Sequence, residues 1–591
     1  MARTSTAVGA ARPFYNRDRT LGRYPESRER AGYLAIVVLV SIVIFYEIYV
    51  QGAVSTEIIA DFGIPLRTFV LASILGNAVG ALAAWATGIA DSWGRANLII
   101  AGSGAAALIA TFGLPNTSSA GVYIALYVLL SLTGGVVLVA TQALVRDFSP
   151  QLGRATAMGV WTLGPVLGNL VISVVTNRTV DAHPDWQFQY HVAGTVGLLT
   201  TAIAFVWLRE LSPALRNQVM VSLADRELVE KRAAAAADDT VEGAVGIAAE
   251  SMWSRALVLP AAGISLFLVF YVTRVGFLVL YFATTFGYAT SKANGLATWY
   301  WVANAIALVV TGVLSDRLKV RKPFMLAGAI VSLGALAVFA TRPTHPDTSY
   351  NDFVVLLVLL AIGGAMVNNA WLTLFSETVE RINPAAVARG MAVYGSVLRA
   401  AVTVTLIGFM LTVTAAGTLA DHGREVGRIA TTYKAELVTL GKIAPATMNS
   451  LRANPTAVRA RVAALTRLSG LARPIVAGAV RRDATGALGK GLRRSQRAAL
   501  RKAQKQVTAA RAVPVPDLLY LTKHGAEVQK AVKDTPLEWR RWWWVCFVAQ
   551  VAFLPIGLRM KGRWLPRHAV GDARIRQERA AAELASLRQG D

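Results

Sequence analysis

The chain has almost no cysteine and little charge. Its single thiol, Cys546, sits inside an apolar block, which excludes an internal disulfide framework and any thiolate-rich metal site. Only 16% of the 591 residues are charged, against roughly 25% in ordinary globular proteins. The six histidines are scattered along the chain. There are no paired carboxylates, no Ser/His/Asp arrangement in a polar domain and no phosphate-binding loop. Gly102-Ser-Gly104 is embedded in an apolar run, where helix packing explains it. The sequence therefore predicts no enzyme, no cofactor and no metal.

Apolar residues are what the chain has in quantity. They make up 54% of it, mean hydropathy is +0.46, and they fall in blocks of about 18 to 28 residues. That is the length needed to cross ~30 Å of hydrocarbon at 1.5 Å per residue. The pattern predicts an all-α membrane protein with twelve transmembrane helices, at about 32–54, 67–89, 96–114, 121–144, 155–176, 191–208, 256–284, 295–315, 323–340, 352–375, 390–416 and 542–559. Breakers such as Pro65, Pro115, Pro150, Pro184, Pro213, Pro343 and Pro384 separate them.

The expected organisation is a tail over 1–30, a six-helix bundle over 31–208, a polar linker over 209–253, helices 7–11 over 254–416, a basic insertion over 417–540, helix 12 over 541–560 and a tail over 561–591. Arg and Lys are concentrated in the short loops on the side of the N-terminus, including Arg95, Arg146, Arg154, Arg317, Lys319, Arg321, Lys322, Arg381 and Arg389. The positive-inside rule then places both termini in the cytoplasm of a plasma (inner) membrane protein. The insertion carries 23 Lys/Arg against 8 Asp/Glu and would lie outside the cell, since long loops cross regardless of charge. Its stretch 488–507 sets Leu488, Leu492, Leu500, Ala503 and Val507 on one helical face amid arginines and lysines. Two readings stay open: contact with an anionic lipid or cell-envelope surface, or a solvated basic helix packed on its own domain. It lacks the interleaved aromatics expected of a nucleic-acid binder.

The two halves repeat. Thr87-Gly-Ile-Ala-Asp91-Ser-Trp-Gly94-Arg95 follows the second block, and Gly312-Val-Leu-Ser-Asp316-Arg317-Leu-Lys319-Val-Arg321-Lys322 follows the eighth. Phe62-Gly63 recurs as Phe286-Gly287, and Arg146-Asp147-Phe-Ser-Pro150 as Glu380-Arg381-Ile-Asn-Pro384. Three matches in order at nearly one offset indicate duplication. The Gly-x-x-x-Asp-Arg-x-Gly-Arg type of loop resembles the major facilitator superfamily. In the first copy Thr87, Ser92 and Ala96 depart from the usual residues. The resemblance implies two pseudo-symmetric bundles, a conformational loop built on Asp91, Gly94, Arg95, Gly312, Asp316, Arg317 and Arg321, and alternating access. Gly164-Pro165-Val-Leu-Gly168-Asn169 resembles half of an antiporter signature; close helix packing is the competing reading. The fourth-helix arginine tied to proton coupling in the family is absent near Ser131.

Ionisable groups inside a bilayer are costly and mark functional candidates. These are Glu47 in helix 1, Arg274 in helix 7 and Arg399 in helix 11, joined by Tyr46, Tyr271, Gln142, Asn304, Asn368 and Asn369. The resemblance implies a cavity lined by helices 1, 4, 7 and 10, where Glu47 and Arg274 could face each other as a switchable or a fixed pair. Two arginines against one glutamate point to an anionic solute. The expected function is secondary active transport of a small solute, coupled to protons, with the lipid bilayer as surroundings. The competing readings are a proton-driven exporter of drugs or lipids, and a membrane-anchored sensor working through 417–540.

Overall fold

The computed structural model describes residues 19–82, 94–149, 154–212, 215, 253–382, 387–440, 458–483, 492–562, 564–565 and 578. Among them, eleven helices are long and apolar enough to cross a membrane. They are Ser27–Ala53, Arg95–Asn116, Ala120–Asp147, Gly159–Thr179, Trp186–Trp207, Arg255–Phe286, Thr290–Ser315, Lys322–Thr344, Tyr350–Val379, Val393–Thr412 and Val515–Arg559. The remaining crossing contains Leu66–Leu82, second in chain order; the expected span to 89 runs past the described residues. A short helix, Ser55–Phe62, meets it at a bend of 118°. The bend is made at Gly63, whose φ of 58° is left-handed and easiest for glycine. So sharp a reversal makes Ser55–Phe62 an extension of the first crossing, and the twelve are numbered below in chain order.

The helices depart from the hydropathy blocks where polar residues continue a helical backbone. The last helix starts at Val515 rather than near Trp542, because helical geometry persists through a polar stretch that hydropathy cannot register. The seventh crossing is two segments, Arg255–Phe267 and Val269–Phe286, parted at Leu268.

Within the first half, helix 1 packs against helices 4, 5 and 6. In the second half, helix 10 packs against 8 and 9, and helix 7 against 11. Between halves, helix 5 meets helix 8 and helix 2 meets helix 11. Under the duplication helix 5 corresponds to 11 and helix 2 to 8, so the two seams are copies of one another.

The described residues divide into two compact units, one within Met1–Gly417 and Thr535–Asp591, the other within Thr418–Asp534. The second unit has its own apolar core, in which Leu500, Ala503 and Val507 of helix Arg494–Ala512 pack with Val462, Leu465, Val476 and Val480. The apolar face of the basic helix is thus used up inside its own unit. Insertion of that face into a bilayer is not available in this arrangement, while Arg493, Arg494, Arg497, Arg501, Lys502 and Lys505 stay exposed.

Candidate functional site

Arg274 is the centre of the site. Its guanidinium carbon stands 3.6 Å from the ring centroid of Tyr300, 4.0 Å from that of Trp301 and 5.1 Å from that of Tyr271. Only helix periodicity can build this box. Tyr271 is one turn before Arg274 on helix 7, and Tyr300 and Trp301 are adjacent on helix 8. The aromatic faces solvate the cation where water cannot, by attraction to their quadrupoles. They do not satisfy its donors: Arg274 is 2% exposed, and its Nε and one terminal nitrogen have no hydrogen-bond partner.

A second arginine approaches from helix 11. Arg399 is half-buried, with Nη1 unpartnered and directed at helix 2, 3.9 Å from where a Cβ on Gly80 would lie. Tyr49 of helix 1 connects the two. Its side chain lies beside Tyr271, and both guanidiniums are within electrostatic range of it. Tyr49 is a member of the constellation that sequence reasoning passed over, although it is two residues from Glu47. Neither arginine forms an ion pair with a carboxylate among the described residues.

Glu47 is not part of this group, contrary to the expected encounter with Arg274. It is fully buried, both carboxylate oxygens lack partners, and Oε1 presses on Gly197 of helix 6 beside Ala107 of helix 3. Glu47 and Arg274 therefore point into different helix seams. The apolar run around position 47 does not encode which way its side chain turns.

The other candidates separate into two sets. Asn304 donates to the Ala361 carbonyl at 3.0 Å and Asn369 to the Leu308 carbonyl at 3.1 Å, so both amides are engaged in joining helices 8 and 10. Gln142 and Asn368 are half-buried and make no hydrogen bond among the described residues. Tyr46 is buried with its hydroxyl unpartnered, alongside helix 5. Gly164 and Gly168 lie against helix 1: an added Cβ would sit 2.5 Å from the Ser41 hydroxyl and 2.7 Å from the Ile42 carbonyl, respectively. Pro165 shares that stretch of helix 5, in Leu163–Thr179. Of three consecutive tryptophans, only Trp544 is exposed in the manner of an interfacial belt. Trp543 is buried with Phe270, Tyr281 and Phe339, and Trp542 donates to the Thr273 hydroxyl at 3.0 Å.

The duplicated loops differ in their bonding. In the first, Gly94 has φ 95°, and a Cβ there would collide with the Glu210 carboxylate, which accepts from the Arg95 backbone N–H at 2.6 Å. The Arg95 side chain pairs with Asp147. Helix 3 is thus capped by Glu210, brought there by the parallel pairing of Thr20–Leu21 with Glu210–Leu211. Asp91, the acid of this copy of the loop, lies outside the described residues. In the second loop, Arg321 donates to the Ser315 hydroxyl at 2.7 Å and Ser315 to the Val320 carbonyl at 2.6 Å. Gly312 lies near the Asn369 amide, Arg317 is exposed, and the Asp316 side chain is outside the described residues.

At the end of the bundle away from the chain termini the halves are clasped together. Thr290 of helix 8 donates to Glu57, the Thr56 and Thr290 hydroxyls are 3.3 Å apart, and Asn294 donates to the Ala53 carbonyl at 3.0 Å. Beneath the clasp, Gly52 allows helix 1 to run directly against Val275 and Gly276 of helix 7. The arginines sit below this seal, on the side of the termini. A membrane bundle of duplicated halves, closed at one end over buried cations, has the plan of a transporter.

The Major Facilitator Superfamily profile matches residues 37–406. The chain belongs to that superfamily. It is therefore an integral membrane protein of transport, a secondary transporter by family. Sugar phosphate exchanger 3 of Xenopus laevis is 27% identical over 84 residues, 14% of this chain and 16% of that protein. The same exchanger of Bos taurus is 29% identical over 87 residues, 15% and 17%. The chain thus matches about a sixth of the length of these curated relatives. Among solved structures, a bacterial homologue of the human lysosomal transporter Spinster, inward-facing and occupied, aligns at 16% identity over 83% of this chain and 99% of that one, with a TM-score of 0.47. The xylose transporter XylE from E. coli aligns at 14% identity over 67% and 97%, with a TM-score of 0.49.

Proposed function

We propose that this superfamily member carries a small organic anion by alternating access, with Arg274 and Arg399 as its charge partners and Glu47 as the proton site. One observation supports the reading above the others: two arginines lie in the membrane interior with unpartnered donors and no ion-paired carboxylate among the described residues. A charge near the bilayer centre costs on the order of 3 kcal/mol even on insertion scales. Evolution keeps such a cost where the charge meets a ligand, and an incoming carboxylate or phosphate would supply the missing acceptors. The partial likeness to sugar phosphate exchangers agrees in substrate charge.

Glu47 suits the protonated acid in this arrangement, because an ionised carboxylate without partners in a dry seam is prohibitive. Release of the proton requires the helix 1–3–6 seam to open, which would tie proton movement to conformation without contact between Glu47 and the solute. Both termini in the cytoplasm of the plasma membrane, from the loop charges, would make the Glu57–Thr290 clasp the outer gate. The reading of the chain as a proton-driven exporter of drugs or lipids has no comparable support, since cargo without negative charge leaves the arginines uncompensated.

The test is solute binding to the purified protein by thermal shift, over a panel of carboxylates, phosphates, sugars and cationic dyes. An anion should stabilise the wild type and have its affinity lowered at least ~tenfold in Arg399→Ala and in Arg274→Ala. Arg274→Lys should restore little, because a lysine cannot stack its charge across three rings as a guanidinium does. Unchanged anion affinity in both alanine variants refutes the assignment.

A further inference from the structure

A second cation cluster lies outside the Arg274 site, where the end of helix 9 meets helix 12 at the start of its apolar stretch. A groove of about 630 Å³ opens there, lined by Thr341, Thr344, His345, Arg540, Arg541, Trp544, Val545 and Val548. Its lining changes character along helix 12. Arg540 and Arg541 stand at the head, and Trp544, Val545 and Val548 continue one helical face into the apolar part of the span. Both arginines are exposed, and neither has an ion pair among the described residues. The nearby acid, Glu538, is already engaged with the Thr414 hydroxyl at 3.0 Å and the Ala415 N–H at 2.7 Å. His345 donates Nδ1–H to the Thr341 carbonyl at 2.9 Å, since a carbonyl can only accept, and this leaves Nε2 as an acceptor in the neutral ring.

We propose that this groove is a binding site for one anionic phospholipid. Its phosphate would be held by Arg540 and Arg541, with His345 beside it, and its acyl chain would lie along Val545 and Val548. Three features favour a lipid over a soluble anion. The cations border an apolar wall that water-soluble phosphates cannot use. The wall belongs to a membrane-crossing helix, so its natural solvent is the bilayer. Trp544, 38% exposed, stands between head and wall, the level at which aromatic side chains settle in membranes. Ordinary snorkelling of two arginines would give diffuse attraction to any anionic surface, whereas a groove predicts one saturable lipid.

The experiment uses the full chain in neutral detergent, titrated with phosphatidylglycerol, phosphatidylcholine or inorganic phosphate while thermal unfolding is followed. A photoreactive phosphatidylglycerol then maps the contact by peptide sequencing. Phosphatidylglycerol should raise the midpoint saturably, and phosphatidylcholine and inorganic phosphate should leave it nearly unchanged. Cross-links should fall within 341–345 and 540–548. Arg540→Gln with Arg541→Gln should weaken the phosphatidylglycerol response roughly tenfold. Val548→Trp, which fills the wall and keeps both charges, should weaken it as well. An undiminished response in both variants, cross-links confined to other segments, or an equal response to inorganic phosphate would each overturn the proposal. These outcomes are independent of whether solute affinity depends on Arg274 and Arg399.

Discussion

A buried ionisable residue is defined by what surrounds it, and Glu47 and Arg274 illustrate two solutions to the same cost. Arg274 keeps its charge by exchanging water for three aromatic faces. Glu47 lies against Gly197 and Ala107 with both oxygens unpartnered, a setting that costs the neutral acid least. Glu47→Gln reproduces the neutral acid in shape. The variant should unfold within about 1 kcal/mol of the wild type while the pH dependence of transport disappears. Transport that keeps its pH profile in this variant removes Glu47 from coupling. Gly94 makes a prediction of a different kind: its φ of 95° and the Glu210 carboxylate against its α-carbon leave no room for a methyl group. Gly94→Ala should cost about 1–3 kcal/mol, read as a lower unfolding midpoint, whereas a wild-type midpoint would deny the cap its role. At this scale the sequence is informative about which residues are unusual and silent about their direction. Glu47, Arg274 and Arg399 stand out because charge in an apolar run is conspicuous. Arg274's box needs Tyr300 and Trp301 from the next helix, and the helix 3 cap needs Glu210, 115 residues on. Neither distance leaves a local pattern.

Elements move as bodies, and the clasp between the extension of helix 1 and the start of helix 8 is where such motion must begin. It consists of neutral hydrogen bonds and one carboxylate, worth about 1 kcal/mol apiece, weak enough to break in each cycle. Thr56→Cys with Thr290→Cys places two thiols where hydroxyls are 3.3 Å apart, near enough for a disulfide after small adjustment. Oxidation should arrest transport and reduction should restore it; unimpaired flux in the cross-linked protein would show that this end need not open. The insertion unit titrates separately. His422 lies 3.8 Å, ring to ring, from His524, with its Nδ1 2.9 Å from the Tyr520 hydroxyl. Burial first, and then the neighbouring His524 and Lys523, hold its pKa below the ordinary value, against the opposing pull of Glu527 and Asp421. A depressed histidine pKa means that the unfolded state binds more protons. The stability it contributes is present above the unfolded value near ~6.5 and is lost as pH falls from there toward the lower folded value. Protection factors of amides within 418–534, corrected for the intrinsic pH dependence of exchange, should therefore fall as pH drops below ~6.5, and His422→Asn should flatten that response. An equally steep response in the variant would assign it to another group. Gly164 and Gly168 were legible as a motif, and their place against helix 1 needed the packed pair.

At the scale of the whole molecule the plan was the most legible part, because lipid imposes it. Hydrocarbon thickness sets block length, and duplication leaves matching loops at a constant offset. The structure adds the pairing of the seams, helix 5 on 8 and helix 2 on 11, which follows from two-fold symmetry once the halves associate. What hydropathy could not carry was the long polar start of the last helix and the burial of Trp543 in an aromatic core. For the basic helix the sequence leaves two readings open, and its apolar face packs within its own unit. The superfamily profile establishes transport, and our proposal is that Arg274 and Arg399 select the charge of what is carried. Counterflow into proteoliposomes, with carboxylates, phosphates, sugars and dyes compared at two pH values, tests that claim most directly. The account predicts saturable exchange of at least one anion, altered by pH, with no acceleration of sugars or dyes. Robust counterflow of an uncharged sugar or a cationic dye, with every anion left behind, would contradict it.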